Sequence, residues 1–359
     1  MPSIELDSTL KRTTVEGLGF PLGVYPVEPM TPVAGFYSQF EAADGAEPFL
    51  TGGEEAFDDW EAWPDRYMFD VLIDAARLPS LVRAMLTLLP PRVYPILDVL
   101  GHDAYREIDP YVAYDPVGLD KIVEAQRVYA DWLYEDGLVG FGAMSIEPFI
   151  YVFVDEHKIA TVRVELEMRE RVERLLAAFE VPSVEEIVGS DSAAHEHRSV
   201  LYCPPDRPDL FTPEEIVERL RRDWLLQLNV PGATNLDDDG NDLGVTSWRC
   251  VVRCIPGDDG PERYAEVFLR ADSLDRAEQL ATDAAIASPP DTGASQKSGE
   301  DAEDESWLEV DPVQCDRVRA DDFAAMLAQH GFPQQDGASA QGVVHVVWHG
   351  HDDERSREG

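Results

Sequence analysis

Two pairs of histidines have the spacing of a metal-binding site. His195 and His197 flank Glu196, and His349 and His351 flank Gly350 in the run VVHVVWHGH. In an extended strand, side chains two positions apart lie on one face with their backbones ~7 Å apart, so either pair can hold one ion. The two pairs together would supply the four nitrogens of a tetrahedral zinc ion. We favour the simpler alternative, in which the histidines line the solvent side of a strand and the protein uses no metal or cofactor.

The second pair also resembles part of a known motif. The residues from His349 to Asp353 resemble the opening of the His-x-His-x-Asp-His motif of metallo-β-lactamase-like hydrolases. The resemblance covers five residues, and Glu354 stands where the motif has its last histidine. With Gly359 at the end of the sequence, we expect no later segment to supply further ligands, and we do not assign the chain to that family.

The cysteines are predicted to be structural. In an alternating strand, Cys250 and Cys254 share a face with Trp248, which indicates small core side chains. Four strand positions separate the two thiols by ~13 Å, too far for one ion or a disulfide. Cys203 and Cys315 complete a set too scattered for a disulfide framework, which favours a reducing cytoplasm.

The sequence also offers a candidate calcium site and a candidate acid–base site. The run from Asn235 to Asn241 places oxygen ligands at alternate positions before Gly240, but Thr246 occupies the final position, where a calcium loop has glutamate. We therefore expect an acidic turn. For proton transfer the candidates are His157 and the group His102, Asp103, Glu107 and Asp109, which we expect to lie in surface loops because acids are frequent throughout this chain.

The charge excludes two classes of partner. The chain carries 71 acids and 29 bases, a formal net charge of −42. Such a surface repels nucleic-acid phosphates and anionic lipids, so we expect neither nucleic acid nor membrane as a partner. A solvated, salt-tolerant surface is the first interpretation, and a docking face for a protein with a basic surface is the second.

The pattern of elements predicts an α+β protein of two domains, with mixed or antiparallel sheets backed by helices. Residues 1–64 are rich in glycine, proline and aromatics and predict an irregular N-terminal arm. Residues 65–230 form the first α+β domain, 231–247 an acidic linker, and 248–359 a smaller α+β sandwich with a disordered insertion at about 288–306.

Local sequence patterns predict the positions of several helices. Apolar spacing predicts helices over 65–78 and 80–89, and Asp115 before Pro116 predicts another helix start. Two capping boxes, Ser183 with Glu186 and Thr212 with Glu215, each predict the start of a helix.

The sequence contains no nucleophile elbow, phosphate-binding glycine loop, dinucleotide fingerprint or HExxH motif. We therefore expect a soluble cytoplasmic protein that is a binding or regulatory module rather than an enzyme. The alternative is a metal-dependent hydrolase that uses His195, His197, His349 and His351.

Stability should rise with salt. Repulsion among the excess acids opposes the compact state, and ions shorten its range from ~30 Å at 0.01 M to ~10 Å at 0.1 M. We expect the melting temperature, measured by scanning calorimetry at several sodium chloride concentrations, to increase over this range. A decrease would show that specific ion pairs outweigh the net repulsion.

Overall fold

A computed structural model describes residues 3–43, 63–204, 206–207, 209–257, 261–289, 307–332 and 340–349. By its internal contacts the chain divides into two compact units. The first unit comprises residues 1–100, 109–203 and 207–229, and the second comprises 101–108, 204–206 and 230–359.

The first unit is built on a sheet of nine antiparallel strands. Its spatial order is β13-β7-β6-β9-β10-β11-β5-β4, with β8 paired to β6. Two small sheets pair β1 with β2 and β3 with β12. The strands are β1 Thr14–Val15, β2 Leu18–Gly19, β3 Val24–Pro26, β4 Gly35–Glu41, β5 Arg66–Leu72, β6 Arg92–Leu100, β7 Ile108–Ala113, β8 Val117–Gly118, β9 Val139–Ser145, β10 Ile150–Val154, β11 Ala160–Glu165, β12 His195–His197 and β13 Leu226–Leu228.

Five helices of this unit share a core with one face of the large sheet. They are α1 Leu78–Leu86, α2 Leu119–Val128, α3 Ala130–Glu135, α4 Arg169–Ala178 and α5 Pro213–Trp224. Alternate strand residues such as Val152 and Val162 are buried and join a single apolar cluster with Trp132 and Trp224 from the helices. Side-chain alternation in the strands thus fixes which face the helices cover.

The second unit is a four-stranded antiparallel sheet with two helices. Its strands lie in the order β16-β14-β15-β17. The elements are β14 Thr246–Pro256, β15 Arg263–Ala271, α6 Leu274–Ala287, β16 Trp307–Val318, α7 Ala320–Gln329 and β17 Gly342–His349. Cys250 and Cys254 are fully buried, as the strand pattern predicted. The mixed α+β class is therefore confirmed, whereas most of the predicted insertion, 290–306, lies outside the described residues.

Several local predictions are wrong. Residues 66–72 form β5 rather than a helix, because their apolar residues fit a buried strand between β11 and β4. The helix predicted to begin at Asp115 begins at Leu119. The Ser183 capping box starts no helix, and Ser183 instead bridges to Phe36. Within the predicted irregular arm, residues 35–41 are a regular edge strand.

The Thr212 capping box is confirmed. The Thr212 side chain accepts a hydrogen bond from the Glu215 backbone N–H, and the Glu215 carboxylate accepts one from Thr212. Both partners lie within one helical turn, so the position at which α5 begins depends on local hydrogen bonds alone. No helix among the described residues is long and apolar enough to cross a membrane.

Candidate metal centre

Three imidazoles converge in the first unit. Nε2 of His195 lies 3.0 Å from Nε2 of His157 and 2.9 Å from Nε2 of His197. The ring centroids of the three pairs are 4.7 to 4.8 Å apart. All three side chains are half-buried. The predicted pair His195 and His197 is thus brought together with His157, a residue that the sequence interpretation assigned to a surface loop.

A tight turn between β10 and β11 presents His157. The Lys158 N–H donates to the Asp155 carbonyl at 3.1 Å, and the Asp155 N–H donates to the Ile159 carbonyl at 3.1 Å. The Asp155 carboxylate also accepts from the Ile159 N–H at 2.7 Å. Lys158 has a φ of 65°, a left-handed conformation that closes the turn. These bonds hold the His157 backbone at the end of the large sheet.

The strand β12 presents the other two histidines. His195 pairs with Pro26 and His197 with Val24 of β3, so both imidazoles lie on the same face of the small sheet. Beside it, two glycines allow a close backbone approach. A Cβ on Gly23 would lie 2.1 Å from the Gly137 nitrogen, and a Cβ on Gly137 would lie 2.1 Å from the Gly23 oxygen.

Nδ1 of each imidazole faces an oxygen acceptor. Nδ1 of His195 faces the Ala193 carbonyl oxygen at 2.8 Å, and Nδ1 of His197 faces the Gly137 carbonyl oxygen at 2.6 Å. Nδ1 of His157 lies 3.2 Å from the Glu156 carboxylate. Because all three neighbours are acceptors, each Nδ1 carries a proton. In the neutral rings the Nε2 atoms then hold lone pairs that face one another.

Carboxylates determine the electrostatics around His157. Burial lowers its pKa, but hydrogen bonds to Asp155 and Glu156 outweigh burial and raise the pKa of His157 to about 10. The hydrogen bond to His157 lowers the pKa of Glu156 to about 2. Burial, reinforced by Glu156, raises the pKa of Asp98 to about 7. The carboxylates therefore favour the charged form of His157, whose Nε2 proton a bound metal ion would displace, whereas burial lowers the pKa of His197.

Asp136 joins the segments that carry the histidines. Its carboxylate accepts hydrogen bonds from the Leu138 N–H at 2.9 Å, the Val200 N–H at 2.9 Å and the Ser199 hydroxyl at 3.0 Å. Lys158, which follows His157, is also buried and donates to the Val139 carbonyl oxygen. Burial lowers the pKa of Lys158 to about 8, against the attraction of Asp136. Lys158 thus holds the turn against β9, and Asp136 holds the segment after β12 against the residues that precede β9.

The other site residues that were proposed from the sequence do not join the three histidines. In the second unit, Nε2 of His349 lies 3.0 Å from the Glu266 carboxylate, while His351 lies outside the described residues. Asp103 was predicted to lie in a surface loop, but its side chain is buried and pairs with Arg317 at 2.9 Å. Asp237 accepts hydrogen bonds from Asn241 within an acidic turn, and Arg317 donates to the Asn235 side chain and the Leu236 carbonyl of the same run.

Sequence reasoning missed His157 as a partner of the other two histidines, although it had noted the turn. Thirty-eight positions separate His157 from His195, and strand spacing cannot relate residues so far apart. The three comparisons with known proteins add nothing to this geometry: the chain matches no family model, no curated protein and no solved structure.

Replacing Asp136 with asparagine should destabilise the first unit. The amide can accept through only one oxygen, and its NH₂ group would face donors, which leaves buried groups unpaired. We expect a loss of roughly 2–4 kcal/mol in the free energy of unfolding by urea titration. Asp131→Asn, an exposed control, should stay within about 1 kcal/mol. Equal effects of the two substitutions would mean that Asp136 does not hold this region together.

Proposed function

We propose that the first unit binds one divalent transition-metal ion, of which zinc is the type, through Nε2 of His157, His195 and His197. The observation that carries the proposal is the convergence of these three atoms while each Nδ1 is engaged by an oxygen acceptor. Imidazole nitrogen with its other ring nitrogen hydrogen-bonded is the usual metal-binding form of histidine. A carboxylate behind one ligand, here Glu156, raises the basicity of the ring.

The unpaired lone pairs support a cation at this position. Three neutral rings would place acceptors opposite acceptors at 2.9 and 3.0 Å. One additional proton makes one well-directed hydrogen bond and leaves the second contact unsatisfied, whereas a metal ion accepts all three lone pairs. The acceptors behind the rings prevent them from relieving this contact by exchanging tautomers.

The distances between the Nε2 atoms also fit a tetrahedral zinc site. Nitrogens bound ~2.0–2.1 Å from a tetrahedral zinc ion lie ~3.3–3.4 Å from one another. The two Nε2 separations of 2.9 and 3.0 Å need to widen by only a few tenths of an ångström. Imidazole donors favour zinc, copper and nickel over calcium and magnesium, which prefer oxygen.

A hydrolytic role follows from the number of ligands. Among the residues that the structure describes, no fourth histidine, cysteine or carboxylate joins the group of three. Three protein ligands with one position left for water are typical of catalytic zinc, which lowers the pKa of its bound water to ~7. The proposal therefore favours the metal-dependent hydrolase, with His157 in place of His349 and His351.

A non-catalytic binding module is the second candidate. In the described chain β12 pairs with β3 and not with the large sheet, so an ion would join the two sheets through His157. In that role the metal would stabilise the N-terminal region for binding, and the net charge of −42 would favour a protein partner with a basic surface.

Metal binding is tested on untagged, chelator-treated full-length protein by titration with zinc chloride in a calorimeter. We expect one equivalent to bind tightly, and His157→Ala to weaken binding at least ~100-fold because it removes a ligand. His102→Ala, an exposed histidine, is the matched control, and His349→Ala tests the four-histidine alternative. Both should bind like the wild type.

Two outcomes would contradict this assignment. If His349→Ala loses zinc and His157→Ala keeps it, the ligands are those of the four-histidine alternative. If none of the variants changes binding, the three rings form a proton-linked network without a metal role.

Hydrolysis separates the two candidate functions. We expect zinc-loaded protein to hydrolyse p-nitrophenyl acetate faster than the chelator-treated protein or His157→Ala, with a rate that rises through pH ~7 as bound water ionises. Tight zinc binding with no difference in rate would reject the hydrolase and leave the binding module.

A further inference from the structure

Two cysteines face each other in the second unit. In the antiparallel ladder of β14 and β16, Cys250 is the direct partner of Cys315. The first residue is completely buried and the second is 8 % exposed. Direct partners lie on the same face of a sheet, so the register places the two thiols side by side.

The backbone geometry already fits a disulfide. Directly opposed residues of antiparallel strands have Cα atoms ~4.5 or ~5.5 Å apart, and disulfides span Cα separations of ~4.4–6.8 Å. The register therefore places this pair within the separation that a disulfide spans. Cys254 shares the strand and is equally buried, but its partner in β16 is Val310.

We propose that Cys250 and Cys315 are a dithiol modification site, at which a hydroperoxide forms a disulfide between β14 and β16. The site lies apart from the three histidines in sequence and chemistry, so it does not depend on the proposed metal. The oxidant must be small because both sulfurs are buried, and hydrogen peroxide is the simplest member of this class.

The reaction balances with one peroxide. Cys250 gives up its proton, and its sulfur attacks one peroxide oxygen; the O–O bond breaks, and a sulfenic acid and water form. Cys315 sulfur then attacks the Cys250 sulfur, an S–S bond forms, and the sulfenic oxygen leaves as water with the proton of Cys315. Two thiols lose two electrons in total, and hydrogen peroxide is reduced to two waters.

The environment distinguishes the two sulfurs. The hydrogen bond with Cys250 and burial both raise the pKa of Cys315. Cys315 therefore stays protonated, and its proton leaves with the sulfenic oxygen when the S–S bond forms. Because the thiolate is the reactive form, burial makes the reaction slow compared with exposed, activated cysteines.

Disulfide formation should stabilise the second unit. The bond closes a loop that runs from β14 through β15 and α6 to β16. Long closed loops restrict the unfolded chain more than short ones. Oxidised protein should thus melt at a higher temperature than reduced protein.

The test treats the full-length protein with hydrogen peroxide in the presence of a chelator, removes the peroxide, unfolds the protein in denaturant that contains a thiol-blocking reagent, and maps peptides by mass spectrometry without reduction. We expect a Cys250–Cys315 linked peptide two hydrogen masses lighter than the separate peptides, and a melting temperature raised by about 5 °C or more. Dithiothreitol should reverse both. Cys250→Ser and Cys315→Ser should form no disulfide, whereas Cys254→Ser, the matched buried control, should behave like the wild type.

Other products would overturn the proposal. Linkage through Cys254 or Cys203, or sulfinic and sulfonic acids without any linked peptide in the wild type, would show that the opposed pair is not the site. The wild-type peptide map decides this even if a serine variant fails to fold.

Discussion

Three contacts between Nδ1 and an oxygen acceptor determine the chemistry of the first unit. Each of them directs one imidazole so that its Nε2 points toward the other two, and the acceptors are a carboxylate and two backbone carbonyls. The turn after β10, the pairing of β12 with β3 and the close approach of Gly23 and Gly137 all serve to place these acceptors. Loss of any one acceptor would free a ring to rotate and would disperse the lone pairs.

The charge distribution agrees with a cation at this position. Asp155 and Glu156 lie beside His157, and Glu156 stays ionised because its hydrogen bond to His157 lowers its pKa. Histidine is used differently in the second unit, where burial raises the pKa of Glu266 but His349 and Arg249 lower it to about 2. There the imidazoles of His349 and His330 face the Glu266 carboxylate, at 3.0 and 3.9 Å, rather than one another's Nε2 atoms. The same residue type thus forms a candidate metal centre in one unit and an ion pair in the other.

The sequence predicted features that depend on a few neighbouring residues. The helix start at the Thr212 capping box was predicted correctly because both hydrogen-bond partners lie within one turn. The burial of Cys250 and Cys254 followed from strand alternation. The same alternation correctly placed His195 and His197 on one face.

Prediction from the sequence failed where contacts between distant residues decide the structure. Residues 66–72 form a strand because β11 and β4 pair with them, and Ser183 bridges to Phe36 instead of starting a helix. The role of His157 depends on a contact with His195, 38 positions away, and therefore could not be predicted from strand spacing.

The coordination of a bound ion tests the central claim most directly. X-ray absorption at the zinc edge, on full-length protein loaded with one equivalent, counts the nitrogen ligands and measures their distances from the metal. We expect three imidazole nitrogens at ~2.0–2.1 Å with an oxygen in the remaining position. Sulfur at ~2.3 Å, four imidazoles, or a shell of oxygens alone would contradict it.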